Sequence, residues 1–194
     1  MKQEFYDYVK MLNSALDTVS PIWIDLMAEE IQRVANSRGR LFVCGNGGSA
    51  AISEHLSCDH SKGVCVDTNL RPFVVPLASN VSLITAIGND IGYEEIFAKQ
   101  VEWFGNESDA LLVISSSGNS KNIINALRAA KRNRLSTMAL VGFDGGEAKD
   151  MAQISVHVKS NNYGIVEDCH QIIMHMMAQH IRKTNAINPR SIKL

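Results

Sequence analysis

The chain has 194 residues, 45% of them hydrophobic, and its 19 Lys and Arg stand against 20 Asp and Glu for a formal net charge of -1. That size suits one buried core, and the near-neutral balance offers no long-range attraction to nucleic acid or to an anionic membrane. Cys44, Cys58, Cys65 and Cys169 form no C-x-x-C pair and sit in apolar segments, as reduced thiols do, and with no leader-like start and no apolar run of bilayer length a cytoplasmic protein is expected.

In chain order, Phe5, Val9, Leu12 and Leu16 recur at helical spacing. After the break at Ser20-Pro21, Ile24, Met27, Ile31 and Val34 repeat it, so the chain is expected to open with helices over about 3–37. From residue 40 short apolar runs alternate with helical stretches. LFVC at 41–44, FVVPL at 73–77, ALLVIS at 110–115, TMALVG at 137–142 and ISVHV at 154–158 read as five strands. Helical patterns fall over 49–61, 81–87, 94–104, 119–133, 147–151 and 166–183, and an irregular tail follows at 185–194. Strand then helix, repeated, predicts an α/β fold with a five-stranded parallel sheet covered on both faces, in a single domain whose core spans about 40–184.

Two of the predicted strands run directly into loops suited to an anion. CGNGGS at 44–49 brings glycines that let a ligand approach backbone and ends in Ser49 at a helix start, and SSSGNS at 115–120 brings four hydroxyls to another helix start. Turn-making and N-capping would explain either loop alone; a pair of them at strand carboxyl ends points to a phosphate. Neither matches G-x-x-x-x-G-K-[ST] or G-x-G-x-x-G, so a phosphomonoester on a small molecule fits better than a nucleotide.

Ionisable groups cluster at two further places. His55 and Asp59 stand four apart on a predicted helix, facing one way just after the glycine loop. Glu167, Asp168, His170, His175 and His180 punctuate a final helix otherwise built of Ile and Met, where ionisable groups need partners, a metal or solvent.

Taken together, CGNGGSAA with its downstream EH, GND at 88–90, SSSGNS, GFDGG at 142–146 and the ED-x-H-x4-H helix resemble the bacterial phosphoheptose isomerases, sugar isomerase (SIS) domain proteins, over nearly the whole chain. The resemblance implies a flavodoxin-like three-layer sandwich and a homotetramer with sites between subunits. Its implied activity is the isomerisation of sedoheptulose 7-phosphate to D-glycero-D-manno-heptose 7-phosphate. Carried over by position, it assigns substrate contacts to Asn46, Gly47, Gly48, Ser49, Asn89, Asp90, Ser115, Ser116, Ser117, Ser120 and Glu167, with Ser116 where threonine is common. The family's zinc ligands His, Glu, Gln and His fall on His55, Asp59, Glu167 and His175, so one carboxylate is shorter and a second replaces the amide.

Within this reading Asp59 is the base and His175 its acid/base partner, beside a divalent ion, zinc in the family. Glu167 and His175 lie eight residues apart, roughly 12 Å along an ideal helix. Either Glu167 precedes the helix, or another subunit supplies one ligand. Two alternatives stand beside the enzyme: a non-catalytic SIS-type partner of a replication initiator, and an isomerase or sensor for another sugar phosphate.

Overall fold

The structure, a computed structural model, is described for residues 1–188; the last part of the expected irregular tail, 189–194, lies outside the described residues. Helices α1 (Lys2–Leu16) and α2 (Pro21–Asn36) precede strand β1 (Arg40–Gly45), and Pro21 opens α2 where its missing N–H costs nothing. Helix α3 (Gly48–Cys58) runs into a π-helical segment (Asp59–Val64) and the short α4 (Cys65–Asp67), followed by β2 (Phe73–Pro76) and α5 (Val81–Asp90). A 3-10 turn (Tyr93–Glu95) and α6 (Ala98–Phe104) lead to β3 (Ala110–Ser115), α7 (Lys121–Arg132), β4 (Ser136–Val141), α8 (Gly146–Met151), β5 (Ile154–His157) and α9 (Tyr163–Thr184).

All five strands are parallel, in the order β2-β1-β3-β4-β5. Side chains alternate across the sheet because the strand period is two. Leu41, Val43, Ala110, Leu112, Ile114, Met138 and Leu140 face a core shared with α2, α3 and α9. Phe42, Cys44, Leu111, Val113, Ala139 and Val141 face a second core with α5, α6, α7 and α8. Every residue of β3 is buried, as a central parallel strand requires. Helix α1 lies outside the first layer, where Tyr8 and Leu12 pack on the core and the Tyr8 hydroxyl donates to Asp168 Oδ2 at 2.7 Å.

This strand order places a switch point between β1 and β3, whose onward connections leave in opposite directions and open a crevice at their carboxyl ends. The glycine and serine loops are the two lips of that crevice.

Several expectations are corrected. The helix expected over 49–61 is α-helical only to Cys58 and widens into π geometry from Asp59, a segment holding Gly63, a poor helix former. The Gly88-Asn89-Asp90 turn is instead the last turn of α5. The chain stops one step later at Gly92, whose φ of 146° suits glycine and whose N–H returns to the Ile87 carbonyl at 2.9 Å. The helix expected over 94–104 is split between the 3-10 turn and α6. Cys58 is exposed, although all four thiols are free.

Candidate active site

The serine loop and the first turn of α7 form one wall of a cavity of about 110 Å³, lined by Asn46, Ser49, Ser115, Ser116, Ser117, Ser120, Tyr163 and Glu167 with Ile114 at its floor. The loop holds its own shape: Ser115 Oγ accepts from the Gly118 N–H at 3.1 Å and Ser117 Oγ from the Asn119 N–H at 3.3 Å. Ser120 is the N-cap of α7 but makes no capping hydrogen bond, so its hydroxyl and the helix N-terminus are left for another acceptor. Ser116 is 5% exposed and its Oγ has no partner among the described residues, an unmet hydrogen bond that costs free energy unless a ligand meets it.

Glu167 enters this cavity from α9. Its carboxylate lies so close to Gly48 at the start of α3 that any side chain there would collide with it. Among the described residues no Lys or Arg lines the cavity, so charge compensation falls to hydroxyls, backbone N–H groups and helix dipoles.

The second cluster sits further along α9. One ligand atom each of His55, Asp59 and His175 lie within 4.8 Å of one another. Asp59 Oδ1 is 3.5 Å from His55 Nε2 and Asp59 Oδ2 is 3.5 Å from His175 Nε2, with the two imidazoles edge to face at 4.9 Å. Donors bound to one zinc at about 2.0–2.2 Å in a tetrahedron stand roughly 3.3–3.6 Å apart, so this spacing and this set of two imidazoles and a carboxylate suit a divalent ion with one position open. A cavity of about 300 Å³, lined among others by Asp59, His175, Lys62, Gln179 and Arg182, adjoins it.

Residue by residue, His55, Asp59 and His175 meet as expected, while Glu167 lies outside that group within the protomer. Helix α9 is continuous from Tyr163 to Thr184, so Glu167 does not precede it. In its place Gln171 occupies the cluster, its Nε2 donating to His55 Nδ1 at 2.9 Å and to His175 Nε2 at 3.0 Å. Sequence reasoning passed over Gln171, although it lies four residues from both Glu167 and His175 and so on their face of the helix. That face, Glu167 to Gln171 to His175, is the link between the serine cavity and the imidazole cluster.

Asn89 and Asp90 end α5, where Asn89 Nδ2 donates to Asp90 Oδ1 at 2.7 Å; neither lines the serine cavity. Tyr93, just beyond them, does not line it either but donates to Oδ1 of the lining residue Asn46 at 3.0 Å. His60 and His170 are fully buried and off the site, and burial pushes each imidazole down to about 4.

Known proteins resemble this chain over most of its length. The SIS domain family matches residues 4–142. A phosphoheptose isomerase of Sulfurimonas denitrificans is 36% identical over 185 residues, 94% of this chain and 89% of the relative. That of Helicobacter pylori strain P12 is 32% identical over 183 residues, 94% of each chain. The chain belongs to the phosphoheptose isomerase family. Its fold agrees: the structure of a phosphoheptose isomerase from Francisella tularensis superposes with a TM-score of 0.85 at 31% identity, covering 94% of this chain and 96% of that one. As a phosphoheptose isomerase this chain is an enzyme, with a three-residue group that suits a metal ion and, among the described residues, no helix long and apolar enough to cross a membrane.

Proposed function

We propose that this isomerase interconverts sedoheptulose 7-phosphate and D-glycero-D-manno-heptose 7-phosphate by metal-assisted proton transfer. The observation that carries the reading is the single face of α9 that runs from Glu167 in the serine-lined cavity to His175 in the imidazole cluster. Two turns of helix separate the two ends, roughly 12 Å, the scale of an extended sugar phosphate. The phosphate binds at the N-terminus of α7 among Ser115, Ser116, Ser117 and Ser120. Asn46 and Ser49, in the same lining, border the phosphate, and Gly47 and Gly48 line the sugar chain's path, with Asn89 and Asp90 closing it outside that cavity.

At the reacting end, Asp59 removes a proton from C1 of the ketose while the C2 carbonyl oxygen gains one. The resulting enediol receives a proton at C2 as the C1 hydroxyl gives one up, so the product is the aldose and no net proton is consumed. His175, 3.5 Å from Asp59, moves protons between the two oxygens. A divalent ion, zinc in this reading, would be held by His55, Asp59 and His175 and supply Lewis acidity to those oxygens when bound. Glu167 of one chain serves the substrate in its own crevice and is offered to the ion of a second copy, in a cytoplasmic homotetramer whose sites are completed between subunits.

A coupled isomerase assay with sedoheptulose 7-phosphate tests this, with metal content measured alongside. Wild type is expected to turn over with bound zinc, and Asp59→Ala and His175→Ala to lose at least 100-fold in kcat. Metal-loaded protein that binds the sugar phosphate without converting it would support a non-catalytic SIS-type role, and equal turnover of all three proteins would reject the assigned roles.

A further inference from the structure

Asn46 stands where the glycine loop meets the serine-lined cavity, and its amide is held from two sides. Asn122 in the first turn of α7 makes a reciprocal pair with it: Asn46 Nδ2 donates to Asn122 Oδ1 at 3.0 Å, and Asn122 Nδ2 donates to Asn46 Oδ1 at 2.9 Å. The Tyr93 hydroxyl donates to the same Asn46 oxygen at 3.0 Å. Two donors therefore fill both lone pairs of that oxygen, while Nδ2 keeps one hydrogen uncommitted. Asn122 is 2% exposed, does not line the cavity, and so has no access to a ligand.

An independent contact ties the same elements. One turn further along α7, Asn125 Nδ2 donates to the Glu94 carbonyl at 3.2 Å and to Glu95 Oε1 at 2.8 Å, docking the 3-10 turn that carries Tyr93. The helix whose N-terminus faces the cavity thus also sets the glycine loop and the segment that follows Asn89 and Asp90. A reciprocal amide pair anchored on a buried partner holds one side-chain orientation because Asn122 without Asn46 would keep polar atoms unmet inside the protein.

We infer that Asn122 is a positioning residue for substrate recognition: with Tyr93 it orients Asn46 to present a single N–H donor, and no acceptor, to an oxygen of the bound sugar phosphate. The inference rests on the proposed reading of the cavity as a sugar-phosphate site. Truncating a residue that never touches the ligand then weakens binding through Asn46 alone.

A double-mutant cycle on the full-length, metal-loaded protein tests it, using Asn46→Ala, Asn122→Leu and the double variant, with sedoheptulose 7-phosphate affinity read by calorimetry and Tm read separately. Asn46→Ala and Asn122→Leu are each expected to weaken binding about tenfold, as loss of one oriented hydrogen bond does, and the double variant to be no weaker than Asn46→Ala. Tyr93→Phe, a surface change that removes one hydroxyl, is expected to weaken binding severalfold at unchanged Tm and keeps the test available should Asn122→Leu fold poorly. Additive losses, or unaltered affinity in both Asn122→Leu and Tyr93→Phe, would overturn the inference. If wild type binds no heptulose phosphate, the substrate reading fails and the same cycle is read with inorganic phosphate, where the same non-additivity is expected. A wild type that binds neither overturns both.

Discussion

Glu167 sets the chemical character of the serine-lined cavity more than any other residue. A phosphate dianion entering there meets hydroxyls and a helix N-terminus on one side and a carboxylate on the other, with no side-chain cation in the lining among the described residues. Like charges at close range oppose binding by about 1 kcal/mol or more even with substantial screening. Glu167→Gln keeps the shape against Gly48 and removes the charge, so in metal-free protein it is expected to tighten inorganic phosphate binding about fivefold, measured by titration calorimetry at constant ionic strength; unchanged or weaker binding would mean the carboxylate is already neutralised by another group. The same position shows the limit of reading residues one at a time. Spacing argued that Glu167 and His175 could share an ion within a chain only if Glu167 preceded the helix, and the continuous α9 removes that option, whereas Gln171 between the two imidazoles carried no motif to flag it.

At the scale of elements, the site depends on two strand-to-helix turns meeting across the β1/β3 switch point. The serine turn is fastened from behind by the loop that follows β4. Gly118 has φ of 65°, and a side chain on it would strike the Gly145 carbonyl, while the Ala148 N–H donates to the Gly118 carbonyl at 2.9 Å. Gly118→Ala combines a left-handed backbone with a clash against backbone that cannot yield, so a loss of about 2 kcal/mol or more is expected in denaturant unfolding, with weaker phosphate binding as the turn shifts. Stability within about 0.5 kcal/mol of wild type would show that the turn relaxes freely. Helix α3 presents a different case: periodicity alone cannot distinguish α from π geometry over the few residues after Asp59, because both keep an apolar face toward the core over so short a segment.

Across the whole molecule, the two buried imidazoles govern behaviour in acid. His60 and His170 are held neutral by burial, each with a folded value of about 4 against an ordinary 6.5. Because the folded value is depressed, the unfolded chain takes up protons first as pH falls. The stabilising contribution is complete above about pH 6.5 and is lost progressively between 6.5 and 4. Tm is therefore expected to fall steadily over that window, and His170→Phe, which fills the same apolar site without a titrating group, to flatten the decline. A variant whose acid profile matches that of wild type would show that other groups dominate the transition.

The residues themselves determined the order of elements, the five strands and the two anion loops, because side-chain periods of 2 and 3.6 and the punctuation by Gly, Pro and Ser are local properties that burial then enforces. They also carried His55, Asp59 and His175, through helical spacing and the family pattern. Only the tertiary structure decided which side of α9 meets which cavity, that Gln171 lies between the imidazoles, and that Asn122 and Tyr93 grip Asn46 from positions 76 and 47 residues away. Such contacts arise where helices from separate crossovers converge on one sheet edge, and no local pattern in the chain records which of many exposed or buried amides will meet there.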